Sequence, residues 1–329
     1  MNVLLTFDDN YCQHAAVVLA SLCKNNTQES ISVYVITDYI SETNKDKIGD
    51  ILKCYNATIQ YIIIDYSSTK DLPFGKGTSN KYITNIATYY RLFVTELLPK
   101  DIERILYLDC DIVINDSLNI LWTWEFSSGS CIAAVEEMPS IIKESTFRLN
   151  YPVDYSYFNA GIILFDLTKL RKMYSVEVAF DFINKHRTLI KYHDQDVLNA
   201  LLYKQKDFLP IKYNLMEGFL YRLNTNWERC KNNEDDILNP AIIHFAGPLK
   251  PWYKECNHPY KQLYYEYLRM TPWKNYVPVY RYNTVKENCI YHFKSFLKFI
   301  LDTLNLKAYR FRKDLPLLSS AFNYKQGIR

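Results

Sequence analysis

The sequence predicts an α/β fold, and three observations carry that reading. Short apolar, β-branched runs alternate with stretches of helical spacing through the first two thirds of the chain. No internal repeat or low-complexity linker interrupts the alternation. Hydrophobic residues make up 48% of the 329 positions and charged residues 23%, a balance that supports a large core and excludes disorder and collagen-like chains.

The elements follow in order. Val3 to Phe7 reads as a strand, and Ala15, Val18, Leu19 and Leu22 then recur at helical spacing. Ile31 to Thr37 is a second strand, Ser41 opens a helix that carries Ile48, Ile51 and Leu52, and Ile59 to Ile64 is a third strand. Strand and helix alternating in this way imply parallel pairing through right-handed crossovers. Residues 66 to 80 read as a loop, Ile86 to Leu98 as a helix stopped by Pro99, and Arg104 to Leu108 as a buried strand that ends in acid. Cys131 to Val135, Gly161 to Phe165 and Ala241 to Phe245 are further strands, with helices near 176 to 190 and 195 to 203. The pattern breaks around 266 to 281, at Pro272, Trp273 and Pro278. Beyond it, Cys289, Phe293, Phe296, Leu297, Ile300, Leu301 and Leu304 share one helical face, with Lys294 and Lys298 on another. The chain therefore divides into a body, 1 to 265, and a basic, aromatic helical extension, 266 to 329.

Several function classes lose ground. Neither G-x-G-x-x-G nor G-x-x-x-x-G-K-[ST] occurs, and Gly75-Lys76-Gly77-Thr78 lacks the spacing that curls backbone N–H groups round a phosphate. Eight scattered cysteines without a C-x-x-C pair read as buried thiols in a reducing compartment. The first residues read as a strand and not as a signal peptide, and no run approaches the roughly 18 apolar residues of a membrane span, so a cytoplasmic location is expected. On that footing the sequons at Asn25, Asn56 and Asn115 carry no weight. From Arg281 onward ten bases face three acids, leaving a mildly acidic body. That asymmetry argues against a nucleic-acid protein and for a localised anionic partner of the tail, such as a membrane surface.

Chemistry concentrates at a few points. In an extended chain Asp109 and Asp111 point to the same side, beyond the carboxyl end of a strand, where open α/β sheets bind ligands. Two carboxylates there suit Mg²⁺ or Mn²⁺ shared with substrate phosphates; an Asx-turn is the plainer alternative. His244 ends a later strand and would favour Mn²⁺, Gly247 permits close backbone approach, and Lys250 offers a point charge to phosphate. Asp8, Asp9 and Asn10 follow the first strand, where they either cap the next helix or meet a base or ribose. Asn159 precedes a strand, and Asp194-Gln195-Asp196 opens a helix with more polar groups than capping alone needs.

Six motifs in order, Thr6-Phe7-Asp8-Asp9-Asn10-Tyr11, Thr88-Tyr89-Tyr90-Arg91-Leu92, Leu108-Asp109-Cys110-Asp111, Phe158-Asn159-Ala160-Gly161, Asp194-Gln195-Asp196 and the segment from His244 to Trp252, give the chain its resemblance to the retaining family 8 glycosyltransferases. The resemblance spans about residues 2 to 252. It implies a GT-A type nucleotide-diphospho-sugar transferase fold with a single Rossmann-like mixed sheet flanked by helices, a UDP-galactose or UDP-glucose donor and Mn²⁺. It further implies that Asp109, Asp111 and His244 hold the metal, and that Asp8, Asn10 and Cys110 belong to the donor-binding set. Gly247 and Lys250 would engage the diphosphate, Arg91 would reach the sugar, and Asn159, Asp194 and Gln195 would line the reaction centre. The acceptor would be a glycan or lipid-linked oligosaccharide in lipopolysaccharide, capsule or other cell-surface synthesis, with the tail at an anionic membrane face or, alternatively, docked by its apolar face on the catalytic domain. Ile83-Thr84-Asn85 departs from relatives that bring a His towards the sugars, which bears on donor and acceptor preference. The rival readings are a haloacid-dehalogenase-type phosphatase, built on the same Asp-x-Asp, and a non-catalytic sugar-nucleotide or glycan-binding module.

Overall fold

The computed structural model describes residues 1–65, 72, 86–152, 154–221, 227–282, 284–304 and 311–316. The large sheet is mixed. β1 (Asn2–Thr6), β2 (Ile31–Thr37), β3 (Ala57–Ile63) and β4 (Arg104–Leu108) run parallel in the order β3-β2-β1-β4. β7 (Phe158–Asp166) joins antiparallel to β4, and β6 (Ile132–Glu136) and β8 (Lys206–Phe208) close the order β7-β6-β8. A second small sheet, which the periodicity does not foreshadow, sets β5 (Ile112–Ile114) antiparallel to β10 (Ile242–His244) and β9 (Leu215–Met216) beside it.

Side-chain alternation builds two cores on the two faces of the large sheet. Val3, Leu5, Leu106, Leu108, Ile162 and Leu164 pack on one side, against the helices Cys12–Asn25 and Glu42–Leu52. Leu4, Ile105, Tyr107, Ile163 and Phe165 pack on the other, against the helices Val176–His186 and His193–Leu202. A third core lies under the small sheet, where Val113, Leu215 and Ile243 meet Trp252, Tyr264 and Tyr267.

Two details correct the element boundaries. Ile86–Phe93 is a 3-10 helix, and only Val94–Leu97 continues as α-helix. The strand expected from Gly161 begins at Phe158, because Asn159 turns its amide to buried partners and stays in the ladder. Packing also continues past residue 266. In and after the helix Lys261–Leu268, Tyr267, Leu268 and Thr271 are buried, and the N–H of Arg281 donates to the Glu255 carboxylate at 3.1 Å. The helix Val285–Thr303 then leaves the body, with Phe293, Phe296 and Phe299 each more than half exposed. After it, Phe311 stacks on Tyr221 and Arg312 pairs with Glu234. Of the tail bases, Lys307, Arg310, Lys325 and Arg329 lie outside the described residues, as does the expected loop apart from Leu72.

Leu164 is fully buried in β7, opposite Leu106 of β4 and Ala133 of β6. L164A is expected to cost about 2–5 kcal/mol, read as a lower denaturation midpoint with an unchanged urea slope.

Candidate active site

The strand β4 ends at Leu108, and the chain crosses through Asp109-Cys110-Asp111 into β5 of the small sheet. The crossing is pinned at both ends. The N–H of Asp109 donates to the Gly161 carbonyl at 2.8 Å, and the N–H of Phe245 donates to the Asp111 carbonyl at 2.9 Å. The β5–β10 register sets Ile112 opposite His244, which carries the imidazole to the two acids. Donor atoms of Asp109, Asp111 and His244 all lie within 4.8 Å of one another, the only such group of three among the described residues. Nε2 of His244 is 3.2 Å from Oδ1 of Asp111 and 3.9 Å from Oδ2 of Asp109. Ligands about 2.1 Å from one octahedral ion stand roughly 3 to 4.2 Å apart, so this set fits a small divalent cation. Oδ1 of Asp111 is buried and, apart from Nε2 of His244 3.2 Å away, meets no hydrogen-bond donor among the described residues, which is costly for a carboxylate unless a cation answers it.

The charges around the acids are paired and buried. Burial pushes the Asp111 carboxyl up, but Lys250 above all overrules it and holds the group well below the carboxylate range. Lys250 pairs with Oδ2 of Asp111 and also donates to the Phe245 carbonyl. Arg91 is buried between two acids, donating to Asp109 at 2.7 Å and standing 2.9 Å from Asp194. It also donates to the Ala160 and Thr88 carbonyls, with its Cζ 4.1 Å from the centre of the Tyr107 ring. In this arrangement Arg91 braces both acids. Burial raises the Asp194 carboxyl to about 6, against the pull of Arg91 and of the Thr88 hydroxyl, which donates to it at 2.6 Å.

The remaining expected residues fall into three groups. Asn159, Asp194, Gln195, Gly247 and Lys250 line one cleft with the acids and His244, of about 480 Å³. The Gln195 side chain accepts from the Ala160 N–H at 2.8 Å. The residue before Asp194, His193, holds a left-handed φ of 51° at the helix start, a conformation non-glycine residues rarely adopt. Asp8, Asn10 and Cys110 do not line that cleft. Asp8 caps the following turn, accepting from the Asn10 and Tyr11 N–H groups, while the Cys110 thiol faces the Thr6 carbonyl. Asp196 is structural: fully buried, it accepts from Tyr157, Arg148 and the N–H groups of Lys191 and Tyr192. Ile83, Thr84 and Asn85 lie outside the described residues.

Two contributors have no sequence signal. Glu137 follows β6, and Asn214 sits in an irregular turn before β9; both are buried, and Asn214 shares a 2.8 Å hydrogen bond with Nδ1 of His244. Only the three-dimensional pairing reveals them. Glu217 is another, close enough that a Cβ on Gly247 would overlap its carboxylate.

The family model "Glycosyl transferase family 8" matches residues 2–256. General stress protein A of Bacillus subtilis (strain 168) is 30% identical over 279 residues, covering 83% of this chain and 94% of that protein. A lipopolysaccharide 1,2-glucosyltransferase of Escherichia coli is 30% identical, covering 83% and 79%. A lipopolysaccharide 1,3-galactosyltransferase of Salmonella typhimurium (strain LT2) is 25% identical over the same shares. Among solved structures, galactosyltransferase LgtC in complex with donor and acceptor sugar analogs superposes with a TM-score of 0.72 at 23% identity, covering 83% of this chain and 96% of that one. That likeness shows the GT-A type fold.

Gly161 brings backbone against the site. A Cβ there would lie 2.9 Å from Oδ2 of Asp109 and would overlap the His244 ring. G161A is therefore expected to weaken binding of any divalent cation at this cluster about tenfold or more, measured by titration calorimetry; undiminished affinity would contradict the close approach.

Proposed function

The chain belongs to glycosyltransferase family 8, and from that premise we propose that it moves a hexose, galactose or glucose, from a UDP-sugar to a hydroxyl of a cell-surface glycan, with retention of anomeric configuration. The carrying observation is the convergence of Asp109, Asp111 and His244 beside Asn159, Asp194 and Gln195 in one cleft. Two relatives named as lipopolysaccharide hexosyltransferases support the acceptor class.

Asp109, Asp111 and His244 would hold a divalent cation, Mn²⁺ by the nitrogen ligand, whose chemistry is to neutralise pyrophosphate charge. The chain's own groups do the rest. Lys250, one strand-end away from Asp111, supplies a second positive charge towards the departing phosphate, and Gly247 lets the backbone approach it. Asp8 and Asn10 are our candidates for uridine and ribose contact, with Cys110 contributing through its backbone. Gln195 offers its NH₂ group to sugar hydroxyls at the cleft wall, and Asn159, whose amide is engaged by Glu137, Gly161 and Asn214, shapes that wall. Gln195 is a poor nucleophile, and both oxygens of Asp194 are engaged, one by Thr88 and one by Arg91. That supports front-face attack. The bond from C1 to the UDP oxygen breaks, the acceptor oxygen bonds to C1 on the same face, and its proton passes to the departing phosphate oxygen.

The phosphatase alternative calls for a later acidic pair, and among the described residues the third member of this cluster is an imidazole instead. A glycan-binding module remains the outcome the assay below would reveal. For the extension, we propose that the helix Val285–Thr303 lies on an anionic membrane face. No helix among the described residues is long and apolar enough to cross a membrane, and this one exposes phenylalanines next to lysines.

D111N is expected to lower Mn²⁺-dependent UDP-sugar turnover about a hundredfold or more, chelation should do the same to the parent enzyme, and added Mn²⁺ should restore only the parent. A rate indifferent to both treatments would point to a binder. Replacing Phe293, Phe296 and Phe299 together by Ser should abolish sedimentation with phosphatidylglycerol vesicles while leaving turnover of a soluble acceptor intact; retained sedimentation would refute the membrane assignment.

A further inference from the structure

Behind the three converging side chains runs a chain of buried amides, and its direction can be worked out from one fixed donor. The backbone N–H of Gly161 can only donate, and it does so to Oδ1 of Asn159 at 2.9 Å. That orients the Asn159 amide, so its NH₂ group faces the Glu137 carboxylate, donating to Oε2 at 2.8 Å. The assignment agrees from both ends, since a carboxylate can only accept. Oδ1 of Asn159 is also 2.9 Å from the Asn214 amide, which must therefore present its NH₂ there. Oδ1 of Asn214 is then left for His244, and Nδ1 of the imidazole must carry the proton in the 2.8 Å hydrogen bond between them. A ring protonated at Nδ1 alone offers a lone pair, not a proton, at Nε2, the atom 3.2 Å from Oδ1 of Asp111.

Glu137 is well placed to start such a chain. It is 4% exposed, and its other oxygen accepts from the Met138 N–H at 2.8 Å, which stops the carboxylate from turning. All four members are buried, so water cannot compete for the hydrogen bonds.

We propose that Glu137, Asn159 and Asn214 form a one-way hydrogen-bond relay that locks His244 in its Nδ1–H tautomer and so aims the Nε2 lone pair at the cation. Glu137 and Asn214 are positioning residues in this scheme. The proposal rests on reading Asp109, Asp111 and His244 as a cation site.

The test uses full-length metal-free protein with ¹⁵N-labelled histidine at about pH 8, where histidine is neutral unless perturbed. Long-range ¹H–¹⁵N correlation reads the tautomer, with H244Q to assign the signal, and Mn²⁺ calorimetry runs in parallel. The parent protein should show His244 as Nδ1–H alone. N214L should lose that signature and bind Mn²⁺ about ten- to a hundredfold more weakly. N214D still accepts from Nδ1–H although it severs the link to Asn159, so it should keep the tautomer and lose less affinity than N214L. An Nε2–H tautomer in the parent overturns the relay, and that spectrum decides even if N214L folds poorly. So does unchanged behaviour of N214L, or an equal loss in N214D and N214L, which would mark Asn214 as merely structural. If the parent binds no Mn²⁺, or D111N binds it equally well, the cation reading fails instead, a result independent of the tautomer spectrum.

Discussion

Two backbone hydrogen bonds at the crossing between the sheets set the terms for everything else in the cleft. One ties Asp109 to Gly161 of the large sheet, and the other ties Asp111 to Phe245 after β10 of the small sheet. With the main chain fixed at both ends, the carboxylates have little freedom, and the β5–β10 register decides where His244 points. A slip of one residue in that short ladder would send the imidazole to the opposite face. The third core, with His14 stacked 3.6 Å from Trp252, holds the segment after β10 against the first helix and so guards the register.

The buried charges serve geometry more than stability. Pairing Arg91 with Asp109 and Asp194 in the interior recovers a desolvation cost without a large net gain. It fixes two acids from distant segments at a set separation before any ligand arrives, which is the condition for charge to act without reorganising. Burial opposes the Arg91 charge, but Asp109 and Asp194 outweigh that desolvation, so the guanidinium itself stays charged.

Much of this was legible in the sequence. Ile31 to Thr37 and Arg104 to Leu108 match the observed strands residue for residue, since dense β-branched or apolar runs bounded by polar residues leave little choice. The metal-type cluster was visible too, because strand-end acids and a strand-end histidine stand out against apolar neighbours. What escaped depends on contacts between distant segments. Asn159 hides inside β7 because polar residues disguise a strand whose satisfaction comes from Glu137 and Asn214. Asp196 looked chemical in the sequence and proved structural, because Tyr157 and Arg148 reach it from elsewhere. The antiparallel run of β7 beside β4 also lay beyond local pattern, which carries no strand direction.

The seam between the sheets has a thermodynamic side. Asp109 rides on the large sheet, while Asp111 and His244 belong to the small one. Anything gripping all three is a rivet through that seam, and its affinity is repaid as resistance of the whole molecule to opening, growing with the logarithm of how far its concentration exceeds its dissociation constant. Heat resistance would then report occupancy, and the same joint that shapes the chemistry would make the folded lifetime depend on supply of the ion.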